Sequence, residues 1–112
     1  MKQVGSLRRD EPAAMWHLIA MTKLNSSQIK AALVGLPEWK KEGPVIARTF
    51  QFKDFVAAMK FVNRVAKLAE KAWHHPDIDI RWNKITLTLT THSEGGLTKK
   101  DFGLAGKFDR SE

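Results

Sequence analysis

The chain has 112 residues, no cysteine and a formal net charge of +7. That length favours one domain, the lack of cysteine excludes disulfides and thiolate metal sites, and no apolar run approaches the ~18–20 residues that span a bilayer. With 28% charged and 43% apolar residues the composition is that of a globular protein, expected in the cytoplasm. The charge admits an anionic partner, but the cations fall in isolated pairs (Arg8-Arg9, Lys40-Lys41, Lys99-Lys100) rather than a stripe. No zinc-finger, homeodomain or RNA-binding aromatic motif accompanies them. The charge is read as a solvated surface, and nucleic-acid binding rests on charge alone.

Residues 1–23 read as an N-terminal extension, set apart from a single domain over 24–112. The extension holds Gly5, Pro12 and a short apolar stretch from Met15 to Ile19, and its acidic pair Asp10-Glu11 argues against a transit peptide. At Leu24 the helix signals sharpen. Asn25 can cap, Gln28 follows three residues later, and Leu24 can staple onto Ile29; Gly35 and Pro37 should stop this helix. Residues 38–52 read as extended, divided by Gly43-Pro44, with Ile46, Phe50 and Phe52 on one parity. The clearest helix is expected over 54–73, capped by Asp54. Its apolar stripe is read as Phe55, Ala58, Met59, Val62, Val65, Ala66, Ala69 and Trp73.

Residues 77–92 read as a hairpin. Ile78, Ile80 and Trp82 alternate with polar residues before Asn83-Lys84, and Ile85, Leu87 and Leu89 alternate with threonines after it. Asn83-Lys84 is expected as the two-residue turn, because asparagine tolerates positive φ. A last helix is expected from Thr98 to about Phe108, with Thr98 and Asp101 forming a near capping box. The order αββαββα predicts an α+β fold: a four-stranded antiparallel sheet with helices packed on one face.

Three of the four histidines draw together under this reading. Counting outward from the Asn83-Lys84 turn sets Trp82 opposite Ile85, Ile80 opposite Leu87 and Ile78 opposite Leu89. Continued to the open end, the count sets His75 opposite His92, where paired Cβ atoms lie about 4.5–5.5 Å apart. Imidazoles titrate near neutral pH, so a cluster of His74, His75 and His92 suits general acid–base work. A capping or surface role for the His74-His75 pair remains open. A shared metal is disfavoured, because adjacent residues in an extended segment point to opposite faces and no carboxylate completes a recognised ligand pattern. Glu70 lies one helical turn before His74, and Asp101 lies in the first turn of the last helix, where a carboxylate suits the dipole. Either carboxylate can orient an imidazole, and spacing does not choose between them.

Glu70-x3-His74-His75-Pro76-x5-Trp82-x9-His92-x8-Asp101 resembles the signature of the pterin-4a-carbinolamine dehydratase family, also known as the dimerisation cofactor of a homeodomain transcription factor. Phe50-Gln51-Phe52-Lys53-Asp54-Phe55, Thr91-His92 followed by Gly96-Leu97, Leu104-Ala105 and Trp39 match further family positions. The resemblance covers about residues 24–109. It departs in a slightly shorter loop between Trp39 and Phe50 than in animal members, and residues 1–23 have no counterpart. The resemblance implies a four-stranded antiparallel sheet, homodimers or homotetramers, and no metal or organic cofactor. It also implies a 4a-hydroxytetrahydropterin substrate, formed when aromatic amino-acid hydroxylases use tetrahydrobiopterin, and a quinonoid dihydropterin product. His74 and His92 would then be the proton-transfer pair and His75, beside Pro76, a positioning group. Thr91, Ser93 and Glu94 would bond the pyrimidine edge of the pterin. Glu70 and Asp101 would support the imidazoles, and Trp39 would pack near the pocket. As a runner-up, the resemblance also allows a second class of role, a protein-binding module acting as dimerisation cofactor or coactivator.

Overall fold

The computed structural model describes residues 22–112; the extension predicted over 1–23, with His17, lies almost wholly outside them. Helix α1 spans Ser26–Leu33 and begins as its sequence dictates. The Asn25 side chain accepts from the Gln28 N–H at 2.9 Å, and the Gln28 side chain accepts in turn from the Asn25 N–H at 2.9 Å. Strands β1 (Lys40–Glu42) and β2 (Val45–Gln51) form a hairpin through Gly43-Pro44. Gly43 takes φ 61° at the first turn position, which glycine adopts at no steric cost.

Helix α2 (Phe55–Ala72) is capped by Asp54, whose carboxylate accepts from the Ala57 N–H at 2.8 Å. Its buried face is Ala58, Phe61, Val65 and Ala69. The expected stripe is therefore corrected at both ends. Phe55 is 47% exposed and Trp73 is 79% exposed, Ala66 also faces solvent, and the omitted Phe61 is fully buried. Trp73 leaves the stripe because it is the C-cap, at φ 51° and ψ 41°, and this left-handed step ends the helical progression after Ala72.

Strands β3 (Asp77–Arg81) and β4 (Lys84–Leu89) complete an antiparallel sheet in the order β1-β2-β4-β3. Ile46 and Phe50 of β2 lie opposite Leu89 and Ile85 of β4. These residues, with Leu87, form the buried face against which α2 and α3 (Lys99–Asp109) pack; α3 contributes Leu104, Ala105 and Phe108. Burying side chains of this size removes each from water at a gain of about 1.5–3 kcal/mol. The opposite face carries threonines, with Thr49 and Thr86 hydroxyls 2.7 Å apart. The predicted α+β architecture is thus the observed one.

The second hairpin differs from expectation in its register. The turn is Trp82-Asn83, not Asn83-Lys84, and Ile78 pairs with Leu87 and Ile80 with Ile85. The shift is two residues, so every side chain keeps its expected face. The positive φ falls on the exposed Trp82 (52°) rather than on Asn83. Asn83 is buried and committed elsewhere: its Nδ2 donates to the Phe52 carbonyl at 2.8 Å, and its own carbonyl accepts from the Phe52 N–H at 2.9 Å. Those two bonds pin the end of β4 to the chain leaving β2. As a consequence, ladder pairing ends at Asp77 and Thr88, and continuing its register sets Thr90, not His92, across from His75.

Candidate active site

The end of α2 decides where two of the histidines go. The Trp73 N–H donates to the Ala69 and Glu70 carbonyls, and the His74 N–H donates to the Ala69 carbonyl at 3.1 Å. This reversal closes the helix and sends the next two residues to different partners. His74 turns inward, with 11% of its side chain exposed, and its Nε2 lies 2.5 Å from Asp101 Oδ1. His75 stays outside at 52% exposure, with Nε2 2.6 Å from Glu70 Oε2 and its ring edge-on to Trp73. Spacing left the choice between the two carboxylates open. In the structure each serves one imidazole.

Asp101 is fully buried and sits in the first turn of α3. Its Oδ2 accepts from the Thr98 N–H at 2.8 Å, the reciprocal half of a capping box, and from the Thr91 hydroxyl at 2.8 Å. The Thr91 and Thr98 hydroxyls are 2.9 Å apart. Since the Thr91 proton points at Asp101, the Thr98 hydroxyl donates to Thr91 Oγ1. The buried negative charge is thus met by three hydrogen-bond donors and by the positive end of a helix, as burial of a carboxylate demands. The capping role and the imidazole-orienting role are both fulfilled, because they use different oxygens. With the Oδ1 carboxylate oxygen as acceptor, His74 Nε2 is the donor, and in the neutral imidazole this arrangement leaves the lone pair on Nδ1.

Thr91 begins the loop that carries the third histidine. Its N–H donates to the Gly96 carbonyl at 3.1 Å, closing a short loop around a 3-10 turn, His92–Glu94, with Gly95 at φ 71°. His92, Ser93 and Glu94 are exposed on this turn, and none of their side chains bonds another group among the described residues. His92 therefore follows directly on the residue that holds Asp101, while His74 is held by Asp101 itself. The structure gathers His74, Thr91 and Thr98 around the one buried carboxylate of Asp101, and His92 is the next residue in the chain after Thr91. Glu70 and His75 form an adjoining pair at the end of α2, with the half-buried Pro76 next in the chain.

Trp39 belongs elsewhere. It is 3% exposed, and its indole N–H donates to Asp109 Oδ1 at 2.8 Å. Asp109 closes α3, about 12 Å along the axis from Asp101 at 1.5 Å per residue. There it also bonds Arg48 at 2.7 Å. A cleft of about 390 Å³ between Lys23, Asn25, Lys41 and Pro44 reaches Gly95 and Gly96 but includes no histidine. Among the described residues, no group of three or more His, Cys, Asp or Glu is arranged to hold a metal, and no helix is long and apolar enough to cross a membrane. Sequence reasoning left Thr98 as a helix cap alone. The place of its hydroxyl in the His74 network depends on Thr91, seven positions earlier.

The family profile described as pterin 4 alpha carbinolamine dehydratase matches residues 22–111. The chain belongs to that family. A Picosynechococcus relative, provisionally named a pterin-4-alpha-carbinolamine dehydratase, is 53% identical over 89 residues, covering 80% of this chain and 97% of the relative. A Nocardia farcinica relative with the same provisional name is 54% identical over 86 residues, covering 77% and 90%. The crystal structure of a transcriptional coactivator/pterin dehydratase from Brucella melitensis superposes with a TM-score of 0.78 at 38% identity, covering 80% of this chain and 98% of that one. A pterin dehydratase-like RuBisCO assembly factor of the alpha-carboxysome shares the fold, with a TM-score of 0.55 at 20% identity over 65% of this chain and 84% of that one. In this member of the dehydratase family, Glu70, His74, His75 and Asp101, four of the residues that carry the sequence resemblance, make up the two imidazole–carboxylate pairs just described.

Proposed function

We propose that the chain is a cytoplasmic dehydratase that converts a 4a-hydroxytetrahydropterin, formed during tetrahydrobiopterin recycling, into a quinonoid dihydropterin and water. The observation that carries this reading is the hydrogen bond from His74 Nε2 to the fully buried Asp101, in a chain whose relatives bear the dehydratase name. The reaction needs one proton delivered and one removed. The N5 electron pair forms the C4a=N5 bond as the C4a–O bond breaks. An acid protonates the departing hydroxyl so that it leaves as water, and a base takes the N5 proton. Two imidazoles on either side of the pterin edge can supply both transfers, each worth about 10²–10⁴-fold.

His74 and His92 are assigned as that pair. His74 exchanges its proton at Nδ1, since Nε2 is committed to Asp101, and His92 acts from the exposed 3-10 turn. His75, steadied by Glu70, positions the ring beside Pro76. Ser93 and Glu94, exposed beside His92, are free to bond the pyrimidine edge. No step requires a metal or organic cofactor. The edge strand β3 exposes its whole length, with Ile78 38% and Ile80 41% accessible, and Trp82 in the turn that follows is 68% accessible. Unpaired apolar edges of this kind are normally covered, which supports assembly as a homodimer or homotetramer. Stopped-flow measurement of 4a-hydroxytetrahydropterin dehydration tests the function. A protein-dependent rate increase supports it, and a rate equal to the spontaneous one removes it.

A further inference from the structure

Thr91 was expected to reach the pyrimidine edge of a pterin, yet its hydroxyl is spent inside the protein. The residue is 2% exposed, its O–H donates to Asp101 Oδ2 at 2.8 Å, and its oxygen accepts from the Thr98 hydroxyl at 2.9 Å. Holding the start of α3 does not require this arrangement. The Thr98 N–H alone satisfies the Asp101 half of the capping box, at 2.8 Å. The second donor changes the direction of the carboxylate. With Oδ2 engaged twice, rotation of the group about its last torsion would break two buried bonds, so Oδ1 stays turned toward His74 Nε2 at 2.5 Å.

We propose that Thr91 is a positioning residue for His74: through Asp101, its hydroxyl holds the imidazole in the tautomer with the proton on Nε2 and the lone pair on Nδ1. The proposal rests on the reading of His74 as a proton-transfer group and deepens it. Two lines of donors meet at the Asp101 carboxylate: the Thr98 O–H donates to Thr91 and the Thr91 O–H to Oδ2, while the His74 Nε2–H donates to Oδ1, so the hydroxyls set the direction in which the carboxylate faces the imidazole. Such networks strengthen when complete and are costly when one member is missing. Thr91 also immediately precedes His92 in the chain, so its bond to Asp101 anchors the start of the turn that carries the second proposed proton-transfer group.

The test compares wild type with Thr91→Val, which keeps the β-branched shape without the hydroxyl, and Thr91→Ser, which keeps the hydroxyl. Nitrogen-15 NMR of the imidazoles reports the His74 tautomer, and steady-state kinetics across pH report kcat and KM separately. Wild type and Thr91→Ser should show the proton on Nε2. Thr91→Val should show mixed tautomers, with kcat lowered about tenfold to a hundredfold, a part of the 10²–10⁴ that an acid–base group contributes, and KM nearly unchanged. A wild-type proton on Nδ1 overturns the proposal without any variant, even if Thr91→Val fails to fold. It is also overturned if Thr91→Val keeps the Nε2 tautomer and a native kcat, or if it raises KM at constant kcat, as a substrate contact would. Failure of the functional reading is distinct. Wild type would then give no rate above the spontaneous one, while the tautomer comparison would still decide the positioning geometry.

Discussion

Replacing Asp101 by asparagine keeps the volume of a fully buried side chain and removes its charge. The asparagine oxygen can take the place of Oδ2, accepting from the Thr98 N–H and the Thr91 hydroxyl, each 2.8 Å away. Its amide NH2 then faces His74 Nε2, at a site where the atoms lie 2.5 Å apart. Donor would meet donor, so His74 must move its proton to Nδ1 and accept at Nε2. Three charge-assisted hydrogen bonds become neutral, at a loss of about 1 kcal/mol each, and the carboxylate's interaction with the α3 N-terminus, about 0.3–1 kcal/mol, also goes. Relief of the buried charge offsets a part of this, leaving about 2–4 kcal/mol of destabilisation. For a domain of this size that corresponds to a fall in Tm of roughly 10–25 °C, read by thermal unfolding at one fixed protein concentration. The dehydration rate should fall by about 10²-fold or more, because the lone pair on Nδ1 is lost. A folded Asp101→Asn protein with native Tm and native kcat would refute the roles given to Asp101 and to the His74 tautomer.

Trp73→Gly should raise stability by about 0.5–1 kcal/mol, since a left-handed C-cap at φ 51° suits glycine better than tryptophan; denaturant melts showing a loss would mean that the exposed indole is held by contacts worth more than its strain. Light scattering at micromolar concentration should report a homo-oligomer, and Ile80→Lys on the exposed edge strand should weaken it; a wild-type monomer would contradict the reading of β3. Dehydration should survive exhaustive chelation, because two imidazoles supply both proton transfers, and activity lost with EDTA and restored by zinc would overturn that mechanism.

The parts of the fold fixed by local chemistry were legible. Asn25 with Gln28, Asp54, and Thr98 with Asp101 each cap the helix that their spacing announces, because a cap involves only neighbouring residues. The parity of β4 was legible for the same reason. The hairpin register was not, since the turn residue was chosen by intrinsic preference for positive φ. Asn83 is held by Phe52, 31 positions away, and the left-handed step passed to Trp82. The expected pairing of His75 with His92 failed with it. In α2, periodicity alone admitted Phe55 and Trp73 to the stripe and omitted Phe61, which sits between Phe50 and Phe52 with ring centroids 4.6 and 5.0 Å away. The candidate site residues were chosen as a set through resemblance to a family signature, and the partners that the structure gives them were not legible. His74 meets Asp101 across 27 positions through the packing of α2 on α3, and no spacing rule carries that distance.

Stopped-flow kinetics of 4a-hydroxytetrahydropterin dehydration on wild type, His74→Ala, His92→Ala and the double variant, with circular dichroism to confirm folding, bear most directly on the proposed chemistry. Each single variant should stay folded and lose kcat and kcat/KM together, because a proton-transfer group acts mainly in the transition state. The double variant should lose less than the sum of the two effects in free energy, and His75→Ala should chiefly raise KM. Folded His74→Ala and His92→Ala proteins with near-native kcat would contradict the acid–base assignment and leave the His74–Asp101 pair a structural feature.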